Sequence, residues 1–175
     1  MSQHLQTQPQ SGPPLDQLIK LAQHGDRHAF EAIYRQTLGR TYGLCLRLCA
    51  TASQAEEATQ EVYIRLWQKL PLFKFDAQFT TWLHRLTLNH TLNYLKGQPK
   101  LQAIETEVEP QQPQQDDNLL ERALHKLPEK ARLVFVLKAI EGYQHNEIAT
   151  LLNINSGTSK AQYHRARQLL QEMLS

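Results

Sequence analysis

Apolar side chains return every three or four residues along most of this chain and almost never alternate. Leu18, Ile19 and Ala22 begin the pattern, and Ala29, Phe30, Ile33 and Tyr34 continue it after a break at Gly25-Asp26. Such a period puts the apolar positions on one face of a helix. Asp26 is suited to cap the second helix. A further helix is predicted over about 38–50. Thr51-Ala52-Ser53 reads as a turn, with Ser53 as the next cap and Glu56 in the capping-box place. The helix after it carries Val62, Leu66 and Leu70 in one stripe beside Trp67 and stops at Pro71. A loop over 71–78 leads to a helix from about Phe79 to Lys96, closed by Gly97.

Residues 1–14 are rich in Gln, Pro and Ser and read as a disordered tail, which leaves 15–97 as an N-terminal helical domain. Residues 98–118 hold six Gln, three Pro and most of the local acid, and read as a flexible linker. Pattern resumes over 119–175, with helices predicted at about 119–126, 128–141, 145–152 and 156–173. The fold class is therefore all-α, in two small helical domains.

Charge sharpens this division. The chain is 175 residues long with a net charge of +2. Residues 15–97 carry 10 basic and 7 acidic side chains, 98–118 carry 1 and 5, and 119–175 carry 8 and 5. Two mildly basic blocks flank an acidic spacer, which suits a polyanionic partner but also an ordinary solvated surface. Cys45 and Cys49 lie four apart on one helical face and read as small buried hydrophobes, not as a disulfide or zinc set. The N-terminus lacks the pattern of a signal peptide, and no apolar run is long enough to span a bilayer, so a cytoplasmic protein without membrane insertion is expected. There is no phosphate-binding glycine loop, metal set or nucleophile–base pair, so no enzyme activity, cofactor, metal or small-molecule substrate is expected.

The densest local signal lies near the C-terminus. Glu147, Ile148, Ala149, Leu151 and Leu152 form a short helix, and Asn153-Ile154-Asn155 form a turn. Asn153 tolerates left-handed backbone, Ile154 pins the two helices, and Asn155 caps the second with Thr158 three residues on. Tyr163, Ala166 and Leu170 then point inward, while Lys160, His164, Arg165, Arg167 and Gln168 lie outside. From Asn153 to Gln171 there are three Lys or Arg and no acid. This is a helix-turn-helix whose second helix can lie in a major groove, or else a helical hairpin with a solvated basic face.

Glu147-Ile148-Ala149, Gly157-Thr158-Ser159-Lys160 and His164-Arg165-Ala166-Arg167 resemble the C-terminal domain of extracytoplasmic-function sigma factors. Glu56 to Trp67 resembles the polymerase-binding helix of that family, and Phe79-Thr80-Thr81-Trp82-Leu83 with Asn89 resembles its promoter-melting helix. The resemblance implies that Glu57, Gln60, Glu61 and Arg65 face core RNA polymerase. It implies that Phe73, Lys74, Phe75, Asp76 and Gln78 capture a base of the proximal promoter element, with Trp82, Arg85, Asn89, Asn93 and Lys96 behind them. Trp82 has two readings, core or stacking platform. Asn155, Ser156, Thr158, Lys160, His164, Arg165 and Arg167 would meet the distal element. An anti-sigma partner is implied as well. The chain departs from the family pattern at Asn153, Ser159, Gln162 and Phe75, and the basic cluster after the melting helix shrinks to Lys96 and Lys100. Two other functions remain open at this point: a duplex-binding regulator that works without polymerase, and a pure interaction protein.

Overall fold

The computed structural model describes residues 12–98 and 119–175. The first stretch forms α1 (Leu15–Gln23), α2 (Arg27–Leu48), α3 (Ala52–Lys69) and α4 (Phe79–Gly97). The second forms α5 (Leu119–His125), α6 (Glu129–Phe135), α7 (His145–Leu152) and α8 (Ser156–Leu174). No strand occurs among the described residues, so the all-α class holds. The tail expected over 1–14 and the linker expected over 98–118 lie outside the described residues except at their inner edges. There Pro14 precedes α1 and Gln98 closes α4.

Two local expectations are corrected. The predicted break before residue 38 does not exist, because α2 runs unbroken for 22 residues. Thr37 and Thr41 occupy the buried stripe between Ile33 and Leu44. Their hydroxyls meet the Tyr63 hydroxyl at 2.7 and 3.2 Å, so none of these three buried hydroxyls is unpaired. The cap of α3 is Thr51 rather than Ser53. Thr51 Oγ1 accepts the Gln54 amide at 3.2 Å, and the Gln54 side chain reaches back to accept the Ala50 amide at 3.1 Å.

Ile19, Ile33, Val62, Leu66 and Leu70 form the core of the first half. Leu124, Leu127, Val134, Leu137, Ile148, Ala166 and Leu170 form that of the second. Leu44 and Leu48 of α2 and Leu88 and Leu92 of α4 also belong to this second cluster, so the halves share apolar burial. Arg132 of α6 is 3% exposed and crosses the same seam. It donates to the Leu48 carbonyl at 3.2 Å and to the Leu127 carbonyl at 3.2 Å. The last carbonyls of α2 carry the negative end of its helix dipole, a natural seat for a guanidinium. Arg47 and Glu121 pair across the seam at 2.9 Å.

Between α6 and α7 the backbone widens into one π-helical turn, Val136–Ile140. Gly142 follows at φ 77°, a conformation that disfavours any residue with a Cβ. The turn swings Glu141 toward α4.

Candidate nucleic-acid interface

The helix-turn-helix is built as its residues dictate. Asn153 adopts φ 53° and ψ 51° at the end of α7. Ile154 packs on the core of the second half, and its amide donates to the Ala149 carbonyl at 3.0 Å. Asn155 Oδ1 accepts the Thr158 amide at 2.7 Å, closing the N-terminus of α8. A cap of this type contributes about 1 kcal/mol. Ile148, Ala166 and Leu170 are buried beneath.

Lys160, His164, Arg165 and Arg167 are all exposed, while Ser156 and Thr158 are half-buried at the first turn. Lys160, His164 and Arg167 share one stripe at helical spacing. Arg165 lies on the other flank, because two residues turn a helix by about 200°. The Arg167 guanidinium sits 5.9 Å from the Tyr163 ring centre, which restrains it. Ser159, one of the departures from the family pattern, is fully buried. His145 Nδ1 and Ser159 Oγ are 2.8 Å apart, so the change falls in the packing of α7 on α8 and not on the outer face. Burial, with Lys138 and Lys160 nearby, holds the His145 imidazole below its ordinary range.

The loop before α4 corrects the sequence reading at one residue. Phe73 is 6% exposed and belongs to the core of the first half. Its ring lies 5.5 Å from Phe79 and 5.0 Å from Trp82, so it supports the loop from within and cannot meet a base directly. Lys74, Phe75, Asp76 and Gln78 remain exposed. Phe75 takes φ 60°, a left-handed conformation costing a non-glycine residue on the order of 1–2 kcal/mol. Its ring rests 4.8 Å from Phe73, with Lys20 Nζ 5.6 Å from its centre. Gln23 of α1 clamps the base of the loop, donating to the carbonyls of Leu70 at 3.0 Å and Phe73 at 2.8 Å. Sequence reasoning missed Gln23, since nothing local links it to residues so distant along the chain.

Along α4, Trp82, Arg85, Asn89, Asn93 and Lys96 form one stripe at spacings that keep a single helical face. Arg85, Asn89, Asn93 and Lys96 are exposed and Trp82 is half-buried. Trp82 packs on Phe73 and Phe79, and the rest of its ring reaches the surface.

On α3, Glu57, Gln60, Glu61 and Arg65 are all exposed. Two of these carboxylates are tied to α4. Glu57 accepts the Tyr94 hydroxyl at 2.6 Å, and Glu61 lies 3.0 Å from His90 Nε2. Burial, and next the Glu57 carboxylate, push the Tyr94 phenol up. Ile64, 61% exposed, and Trp67, 37% exposed, form an apolar dent with Phe30 beside these polar groups. Ile64 escaped sequence reasoning because one apolar residue off the buried stripe carries no signal by itself.

Cys45 and Cys49 are free and fully buried, as expected of small core residues. Burial pushes the Cys49 thiol up to about 12 and raises Cys45 as well, so both stay protonated and unreactive.

A cleft of about 520 Å³ separates α2 and α4 from the α6–α7 turn. Arg40, His84 and Arg85 line one side and Glu141, Tyr143 and Glu147 the other. His84 Nε2 and the Glu141 carboxylate meet at 2.7 Å. That hydrogen bond raises the His84 pKa, against a smaller lowering by burial. Among the described residues no helix is long and apolar enough to cross a membrane.

The family model described as Sigma-70 region 2 matches residues 33–100, and that described as Sigma-70, region 4 matches 117–170. The chain is 30% identical over 176 residues to the ECF RNA polymerase sigma factor SigW of Bacillus subtilis, covering 89% of this chain and 94% of that one. It is 26% identical to the RNA polymerase sigma-H factor of Pseudomonas aeruginosa, covering 90% and 92%. Among solved structures, the sigma factor RpoE of Bartonella quintana, in complex with the anti-sigma factor NepR, matches with a TM-score of 0.54 at 21% identity. That match covers 83% of this chain and 96% of the other, and supports the fold. With both regions matched in order and a relative aligned over nearly its whole length, this chain belongs to the extracytoplasmic-function RNA polymerase sigma factors.

Proposed function

We propose that this chain directs bacterial core RNA polymerase to promoters by holding two DNA elements at once and separating the strands at one of them. The observation that carries this reading is the pairing of two unlike polar surfaces in one sigma-type chain. One is the capped outer face of α8, acid-free through Gln171, and the other is the exposed loop and stripe of α4.

The outer face of α8 suits duplex DNA. Its first turn reaches base edges while Lys160, His164, Arg165 and Arg167 meet the backbone or guanine edges. The free amides at its N-terminus favour a phosphate. The loop and α4 suit a melted strand. Phe75 and the open part of Trp82 offer rings for unstacked bases. Lys74, Gln78, Arg85, Asn89, Asn93 and Lys96 supply donors, and Asp76 an acceptor. Phe73 acts beneath them, as the ring on which Phe75 and Trp82 rest.

Glu57, Gln60, Glu61 and Arg65, with Ile64 and Trp67 beside them, form the face that binds core polymerase. A half-apolar, half-charged patch of this kind is the usual anatomy of a specific protein interface. Nucleotide addition remains the work of the polymerase, and this chain contributes binding energy and strand separation. A factor with this role works in the cytoplasm. Control by an anti-sigma protein follows the same reading, and the Bartonella quintana relative was solved with such a partner.

Run-off transcription with purified core polymerase tests the proposal. The reconstituted holoenzyme is expected to start transcripts at defined promoter positions. Tight duplex binding without any initiation would instead favour a conventional regulator.

A further inference from the structure

We propose that Lys20 of α1 is a further strand-binding residue, a cation that takes the phosphate of the nucleotide whose base stacks on Phe75. The inference rests on the role proposed above for the loop before α4. It deepens that role with a residue from outside the loop, on a helix that precedes the region 2 match beginning at residue 33.

Three observations carry it. The first is placement. Lys20 Nζ stands 5.6 Å from the centre of the exposed Phe75 ring. A base and its own phosphate are separated by one sugar, so a cation this close to a stacking ring is within reach of that phosphate. Lys20 is exposed, and no carboxylate among the described residues forms an ion pair with it, not even Asp16 one turn earlier on α1. Its charge is therefore open to an anion.

The second observation is rigidity. Leu18, Ile19 and Ala22 of α1 are buried in the same core as Phe73. Gln23, three residues after Lys20 and so on the same side of the helix, donates to the Leu70 carbonyl at 3.0 Å and the Phe73 carbonyl at 2.8 Å. Helix and loop thus form one unit, which holds the backbones of Lys20 and Phe75 in register. The third observation is strain. Phe75 keeps φ 60°, which a glycine would adopt freely, so the ring is held there at a cost. Strain of this kind gathers at functional sites.

Single-strand sites combine rings that stack bases with cations that follow the backbone. In the free chain the ammonium lies near the ring. An arriving base takes the ring, and the flexible four-carbon stem lets the ammonium move to the phosphate. Such a contact fixes the position of the strand and leaves base choice to other groups.

The test measures single-strand binding by the reconstituted holoenzyme. The probe is the fluorescein-labelled non-template strand of a promoter that the holoenzyme itself selects from random DNA. Affinity is read across a salt series, where one phosphate contact to a single strand contributes about 0.7 to the log–log slope. Lys20→Gln should flatten the slope by that amount, so that its loss of affinity is roughly threefold greater at about 50 mM than at about 200 mM salt. Lys20→Arg should keep the parent slope. Phe75→Gly should weaken binding about fivefold or more without changing the slope. An abasic scan of the probe should find one position at which Phe75→Gly costs nothing further, while Lys20→Gln still flattens the slope there because the phosphate remains. An unchanged slope in Lys20→Gln would overturn the proposal whether or not affinity falls, since a lysine that only supports the loop leaves the number of phosphate contacts as it was. If Lys20→Gln alone is without effect, the role of the loop stands. If Phe75→Gly binds like the parent, the role of the loop fails and the proposal with it.

Discussion

Helices α4 and α8 are the same length, 19 residues each, and both display a polar stripe, but the charges on them are treated differently. On α8 the basic groups stand free: the helix is capped by Asn155, its outer face lacks acid through Gln171, and Arg167 leans only on a tyrosine ring. On α4 two histidines and a lysine have partners inside the molecule. His84 meets Glu141, His90 meets Glu61, and Lys96 donates to a backbone carbonyl of α7. A helix that holds duplex DNA gains from permanent positive charge, since neutralising phosphates dominates affinity. A helix that holds a melted strand depends more on rings that support unstacked bases. The loop before α4 carries two rings, Phe73 buried in the core and Phe75 exposed at a left-handed φ.

The largest expected effect tests the inner part of that loop. Phe73→Ala removes a buried ring shared by Phe75, Phe79 and Trp82, and should destabilise the first half by about 3–5 kcal/mol. Thermal unfolding measures this, and a shift within about 1 kcal/mol would return Phe73 to the surface role first read for it. Charge reversal of Arg165 and Arg167 comes next. Duplex binding to the distal element should fall about 100-fold at constant salt, from two contacts worth about 1–3 kcal/mol each, while affinity for core polymerase stays unchanged. Equal loss of both would erase the distinction between the two halves. The single reversals should differ in which phosphates they release, because the two residues lie on opposite flanks of α8.

Asn155→Ala should cost about 1 kcal/mol of stability in the second half and weaken duplex binding without altering strand capture. Phe75→Gly gives the smallest change in stability. It relieves the left-handed strain but adds unfolded-state entropy, so the net shift should be a gain of no more than about 1 kcal/mol. Strand capture should nonetheless weaken, since the exposed ring is gone. A variant that captures the strand as well as the parent would remove Phe75 from the proposed site.

Much of the α8 surface was readable directly. Left-handed Asn153, the Asn155–Thr158 cap and the buried Ala166–Leu170 stripe are local consequences of residue type and helical period. The α4 surface was less readable because long-range partners define it. Phe73 and Phe75 look alike in a loop, and only the core beneath tells the buried ring from the exposed one. Thr37 and Thr41 hid the continuity of α2, because their burial depends on Tyr63 far along the chain. The docking of the halves was illegible for the same reason. Leu44, Leu48, Leu88 and Leu92 are apolar at helical spacing whatever they face, and Arg132 reads as surface charge until its two carbonyl partners are known.

The central claim is a division of labour, in which α8 holds duplex DNA while α4 and its loop open the strands. A permanganate footprint of promoter complexes formed by reconstituted holoenzyme tests it most directly. The account predicts reactive thymines near the start site with the parent chain, and much weaker reactivity with Lys74→Ala plus Phe75→Ala under conditions where the distal duplex remains fully protected. Unchanged thymine reactivity in that variant, or loss of duplex protection together with reactivity, would contradict it.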